Sequence, residues 1–175
     1  IDGVAVALTY ENSILVRGAT RGNGLIGEDI LDNLKTIRAI PINLRNEGTI
    51  PRVVEIRGEA YLPIPGFDRV NADRAESGEG PFANPRNAAA GALRQLDPRV
   101  TASRPLKFFA YSISYAEGFE MISQMQVLNI LNSWGFSVNH HHRKHKSIEE
   151  VVRFCKEWEH RRNSLDYEID GVVVK

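Results

Sequence analysis

Apolar and polar positions alternate along residues 52–62. Val54, Ile56, Gly58 and Ala60 fall on one side and Glu55, Arg57 and Glu59 on the other. This period of two predicts a strand with one buried face. Val4 to Tyr10 and Ile14 to Ala19 are apolar runs split by Glu11-Asn12-Ser13, the pattern of a hairpin. Ile30, Leu31, Leu34 and Ile37 have helical spacing, and Glu28 and Asp29 suit the positive end of a helix over 28–37. Pro41 and Pro51 bracket a loop or edge segment. Further helices are predicted over 65–76, over 87–96 with an interruption at Gly91, and over 122–134 and 147–162. The last opens with a Ser147-x-x-Glu150 capping box. Lys107 to Tyr115 reads as an aromatic strand. Strands and helices follow one another without a βαβ rhythm, which predicts an α+β fold rather than a doubly wound sheet. The chain opens on Ile1 to Val6 and closes on Asp170 to Lys175, both strand-like, so a fragment of a larger protein, truncated at both ends, is expected.

Composition narrows the class. The 175 residues, 42% of them hydrophobic, suffice for one domain with a core. Charge is balanced at 22 basic and 22 acidic residues, so attraction to nucleic acid must come from local patches. No apolar run approaches the roughly 20 residues of a membrane span, and no leader is recognisable. The lone Cys155 excludes an internal disulfide framework and an all-cysteine zinc site within the chain. A soluble, cytoplasmic, monomeric domain is expected.

Several constellations could carry chemistry. Gly22-x-Gly24-x-x-Gly27 matches the dinucleotide fingerprint as a bare pattern, but Thr20 and Arg21 separate it from the preceding strand, and no clean core strand follows at βαβ spacing. A flexible glycine loop that positions Arg21 suits the context better. Glu55, Arg57 and Glu59 are either a solvated face with charge pairs or a polar site where a carboxylate accepts from a ribose hydroxyl, and spacing leaves both open. Between Asn84 and Lys107, Arg86, Arg94, Arg99, Arg104 and Lys107 stand against a single acid, Asp97, and small residues at 87–91 allow a close backbone approach, so the stretch is either a phosphate contact or an ordinary basic surface. His140, His141, His142 and His145 form a cluster, but Arg143, Lys144 and Lys146 would repel a cation, so an exposed loop is expected there. Cys155 reads as a partly buried filler.

Taken together, Asp2-Gly3, Ala19-Thr20-Arg21-Gly22-x-Gly24, Glu55-x-Arg57-Gly58-Glu59, Asn84-Pro85-Arg86-Asn87-Ala88-Ala89-Ala90-Gly91, Leu93-Arg94-Gln95-Leu96-Asp97-Pro98 and Asp170-Gly171-Val172-Val173-Val174-Lys175 occur in one order. In that order they resemble the adenylation (nucleotidyltransferase) domain of bacterial NAD-dependent DNA ligases over nearly the whole chain. The resemblance implies antiparallel sheets flanked by helices with the nucleotide bound between them. It also implies a three-step reaction: a lysine takes AMP from NAD, AMP passes to the 5′-phosphate of a nick in double-stranded DNA, and the 3′-hydroxyl displaces it, in replication and repair. Phosphoryl chemistry of this kind calls for Mg²⁺ or Mn²⁺ and basic side chains.

Residue by residue, the resemblance implies that the nucleophilic lysine of a Lys-x-Asp-Gly motif stands just before Ile1, two positions from Asp2 on one strand face. Arg21 and Glu59 match nucleotide-holding positions, with Glu59 at the ribose. Tyr111 matches the aromatic stacked on adenine, Val173 the apolar floor beneath it, and Lys175 a lysine near the phosphate. Arg86 and Arg94 match contacts to DNA or its 5′-phosphate. Asp2 and Asp170 match acidic positions near the reacting groups, with Asp170 the candidate to act through metal. Asn23 stands where the family usually has an acid. A further lysine, an amino-terminal module for the nicotinamide half, and zinc, helix-hairpin-helix and BRCT modules are expected outside the chain. An ATP-dependent ligase or capping-type enzyme, a non-catalytic nucleic-acid-binding module and a hydride-transferring NAD enzyme remain as rival classes.

Overall fold

The computed structural model describes residues 1–22, 26–45, 49–120 and 123–175. Four strands, β1 (Val4–Glu11), β2 (Ile14–Thr20), β3 (Val53–Tyr61) and β4 (Lys107–Ala116), form one antiparallel sheet in the order β2-β1-β3-β4. The hairpin turn sets Asn12 and Ser13 at positive φ, +48° and +69°, in the left-handed region that tight turns use. The α+β expectation holds, and among the described residues there is one such sheet.

The sheet has two unlike faces. On one, Val6, Leu8 and Tyr10 of β1 lie beside Val54, Ile56 and Ala60 of β3 and Phe108, Ala110 and Ile113 of β4, all buried. Leu8, Val54 and Ile56 are fully excluded from water, each worth about 1.5–3 kcal/mol. Gly58 sits in this face because the Phe108 ring covers it: a Cβ there would lie 2.1 Å from the ring. The other face carries Ala5, Ala7, Glu55, Arg57, Glu59 and Phe109, set opposite one another by the register.

The helices are α1 (Leu31–Leu34), α2 (Ile64–Glu76), α3 (Pro85–Leu93), α4 (Pro98–Ala102), α5 (Gln124–Ser133) and α6 (Ile148–Arg161); α1 packs on β2, α3 on β1 and β3, and α5 on β4. Three differ from the sequence reading. The helix expected over 28–37 shrinks to the four residues of α1, because Asp29 is tied to Ala19 in a β-bridge and caps the Leu31 N–H at 3.0 Å. Gly91 does not interrupt α3: the Phe82 ring packs where its Cβ would stand, at 3.1 Å, so the glycine serves close packing inside a continuous helix. α4 has no periodicity to announce it and depends on the cap from Asp97 to the Arg99 N–H, 2.9 Å. The Ser147 cap of α6 is present, but Glu150 reaches back to the Lys146 N–H (2.9 Å) rather than to that of Ser147.

Residues 170–175 form no strand. A strand needs a partner backbone, and in its place the stretch before them is tied by single bonds, Asp2 N–H to the Glu168 carbonyl and Ile64 N–H to the Asp166 carbonyl, both 2.8 Å. Tyr167 is buried between the Tyr61 and Phe109 rings, with centroids 5.3 and 5.7 Å away, and accepts from Asn139 Nδ2 at 2.9 Å. That aromatic trio holds the segment against the sheet. No described helix is long and apolar enough to cross a membrane.

Candidate functional site

A cleft of about 1270 Å³ opens between the β1–β3–β4 sheet, α3, the start of α5 and the stretch up to Lys175. Arg21, Glu59, Tyr111, Asp170, Val173 and Lys175, drawn from both ends and the middle of the sequence, all line it. Arg86 and Arg94 of the α3 region line it as well. Asp2 is not among the lining residues; its carboxylate is held by Arg86 Nε at 2.9 Å.

Glu59 departs from its neighbours on β3. Arg57 donates to Glu55 through two nitrogens at 3.2 and 3.3 Å, so those two residues form the solvated charge pair that spacing allowed. Among the described residues Glu59 has no such ion pair, and burial pushes its carboxyl up to about 7, opposed by the Ile1 amine and Arg86 and reinforced by Asp170 and Asp2. A carboxylate desolvated beside a cleft is an acceptor waiting for donors, which is the functional alternative for this strand face.

Tyr111 reaches the cleft through an irregularity of the sheet. Gly58 pairs with Ala110 and Arg57 with Ser112, leaving Tyr111 as the extra residue of a β-bulge. Burial raises its hydroxyl above the ordinary phenol range, Glu59 adds to this, and Arg21 and Arg57 oppose it. Its carbonyl accepts from Gln124 Nε2 at 2.7 Å, and Gln124 Oε1 accepts from Lys175 Nζ at 3.2 Å, with the ammonium 5.8 Å from the Tyr111 ring centre. Gln124 is therefore a bridge that sequence reasoning did not single out. No motif marks it; only its place after the Ser123 cap of α5 brings it there. Val173 is 80% exposed, so any floor it provides is open.

The basic stretch 84–107 is neutralised in space. Arg86 pairs with Asp2, Arg94 with Glu28 (2.7 Å), Arg99 with Asp97 (2.8 Å), Arg104 with Asp73 (3.7 Å) and Lys107 with Asp166 (3.0 Å). Most of these carboxylates come from distant parts of the chain, which sequence counting cannot foresee. Arg86 Nε also donates to the Gly3 carbonyl at 2.9 Å, fixing α3 to the start of β1. Arg94 is held through Nε, which donates to Glu28 Oε2 at 2.7 Å.

The glycine loop is closed at its base. Thr20 N–H donates to the Glu28 carbonyl and Glu28 N–H to Thr20 Oγ1, both 3.0 Å. A Cβ at Gly22 would meet the Ile26 carbonyl oxygen at 1.8 Å and one at Gly27 the Thr20 carbonyl oxygen at 1.9 Å, so both glycines are needed for that closure. The short α1 that follows removes the helix a dinucleotide fingerprint requires. Asn23 and Gly24 lie outside the described residues.

In the histidine cluster, His141 stacks near Trp158 (4.8 Å) and His145 near Phe154 (5.1 Å). Among the described residues no group of three or more His, Cys, Asp or Glu is arranged to hold a metal ion. Cys155 is a free, partly buried thiol.

The family model of the NAD-dependent DNA ligase adenylation domain matches residues 1–175. Curated proteins called DNA ligase align over the whole chain: that of Herpetosiphon aurantiacus at 55% identity, that of Carboxydothermus hydrogenoformans at 53% and that of Natranaerobius thermophilus at 52%. The chain covers 26% of the length of each of these relatives.

Proposed function

Because the chain belongs to the NAD-dependent DNA ligase adenylation domain family, we propose that it is most of the nucleotidyltransferase core of an enzyme that uses NAD to seal nicks in double-stranded DNA. The convergence of Arg21, Glu59, Tyr111, Lys175 and Asp170 on one cleft, with Arg86 and Arg94 beside them, carries the reading.

The nucleophile is a lysine preceding Ile1. Ile1 lines the same cleft, its nitrogen 3.9 Å from Asp170 Oδ1, which supports a residue just before it entering that cleft. The lysine nitrogen forms a bond to the α-phosphorus of NAD as the bond to the nicotinamide mononucleotide oxygen breaks, and the amine loses its proton. A 5′-phosphate oxygen of the nick then bonds to the AMP phosphorus as the bond from that phosphorus to the lysine nitrogen breaks, and the 3′-hydroxyl, losing its proton, bonds to the 5′-phosphate phosphorus as AMP leaves.

Each residue has a task suited to its surroundings. Tyr111 stacks on adenine, Val173 forms its apolar floor, and Glu59 accepts from the ribose hydroxyls. Lys175, steadied by Gln124, and Arg21 neutralise phosphate oxygens. Arg86 and Arg94 meet the DNA phosphates. Asp2 fixes Arg86. Mg²⁺ supplies further neutralisation when bound. It commonly takes only one or two carboxylates and otherwise substrate phosphates, which the exposed Asp170 fits without a protein cage.

Mass spectrometry of the full-length protein incubated with NAD or with ATP tests this. An AMP adduct from NAD alone is expected; an adduct from ATP alone, or none, overturns the reading.

A further inference from the structure

The turn between α3 and α4 presents the most exposed large apolar side chain among the described residues. Leu96 is wholly exposed. Its neighbours are anchored. The Gln95 carbonyl accepts from Asn33 Nδ2 at 2.8 Å, and Gln95 Nε2 donates to the Gly91 carbonyl at 2.8 Å. Asp97 caps α4 and grips Arg99 at 2.8 and 3.0 Å.

Beneath the turn is a buried polar network. Asn33 Nδ2 also donates to Thr101 Oγ1 at 2.8 Å, and Thr101 Oγ1 donates to the Ala92 carbonyl at 2.7 Å. Asn33 and Thr101 are both buried. Such a network is costly unless complete, and here its completion fixes the backbone on either side of residue 96. The chain thus spends buried hydrogen bonds to hold an apolar side chain in water.

The surroundings identify a counterpart. Arg94 and Arg99 flank Leu96 in the sequence, their guanidinium groups solvent-exposed while paired with Glu28 and Asp97, and the partly exposed Val100 follows in α4. Arg94 also lines the cleft. A polymer with phosphates at regular intervals and apolar sugar and base surfaces between them matches this arrangement, arginine to phosphate and leucine to the surface between phosphates.

We propose that Leu96 is an apolar contact to the DNA of the nick, packed against deoxyribose and base edges of the strand whose phosphate Arg94 engages. The inference rests on the ligase reading above.

The test is equilibrium binding of the full-length protein to a nicked duplex carrying a 5′-phosphate, measured across a salt series. Because Leu96 touches little in the free protein, Leu96→Ala leaves the melting temperature unchanged. It is expected to weaken binding roughly five- to thirty-fold, the worth of a partly buried leucine. The slope of log affinity against log salt stays the same, since no ion pair is lost, whereas Arg94→Ala lowers the slope by about one. Leu96→Met is expected to restore most of the affinity. Unchanged affinity in Leu96→Ala, within about two-fold, overturns the proposal, and so does a lowered melting temperature with intact DNA binding, which would assign Leu96 to a contact with another part of the protein. If the wild-type protein forms no adduct from NAD, the ligase reading fails whatever Leu96 does.

Discussion

Glu59 offers the sharpest check on the cleft. Its carboxyl is raised from an ordinary 4.5 to about 7, chiefly by burial. A displacement of that size is worth ~3 kcal/mol. Below pH 4.5 the folded and unfolded chains both keep the proton, and the residue is neutral to stability. As pH rises, the unfolded chain releases its proton first, so stability falls until the folded carboxyl ionises near pH 7 and the full cost is reached. Glu59→Gln keeps the shape and removes the charge. Urea unfolding of the two chains at pH 4.5 and pH 8 reports on Glu59 and the groups it interacts with, because the titration of the others cancels in the comparison. The glutamine variant should gain ~3 kcal/mol on wild type between those pH values. Ribose hydroxyls donating to Glu59 should lower its pKa, so wild type should release a proton on binding AMP near pH 6.5, about half a unit below the folded value. A relative gain of less than ~1 kcal/mol would refute the desolvation argument and return Glu59 to an ordinary surface carboxylate.

Other perturbations test the scaffold. Gly58→Val should destabilise the chain by ~3 kcal/mol in denaturant unfolding, since its Cβ would meet the Phe108 ring at 2.1 Å. Thr101→Val removes the acceptor for Asn33 and the donor to Ala92 in a buried site, and should cost ~2–3 kcal/mol by the same assay. Gln124→Leu frees both the Tyr111 carbonyl and Lys175, and should weaken AMP binding several-fold in calorimetry while the far-ultraviolet circular dichroism stays that of wild type.

Much of this was legible in the sequence where periodicity reports burial. β3 follows its alternation closely, because a central strand with one packed face leaves little freedom for register. The cleft residues were legible one at a time, through motifs, and they do meet. What spacing could not express was long-range pairing. Glu28 reaching Arg94, or Asp166 reaching Lys107, joins positions 66 and 59 residues apart. It also could not express the bulge at Tyr111 or the cap that creates α4. The strand expected at residues 170–175 failed for a related reason: a run of valines forms a strand only with a partner backbone, and none of the described strands pairs with it.

The bulge in β4 has an arithmetical side. With Tyr111 deleted, Ala110 and Ser112 would become neighbours opposite Gly58 and Arg57, and from Ile56 to Gly58 the ladder would run without a skip. Phe108, Ala110 and Ile113 could then keep their inward parity with one residue fewer. The aromatic ring at the cleft is thus one insertion, supernumerary to the hydrophobic code, in a strand that carries a second at Ser114. A shortened chain lacking only Tyr111 would be expected to keep its core and lose the ring proposed to stack on adenine. Folding and ligand recognition are therefore separable here by removing one residue rather than by replacing it.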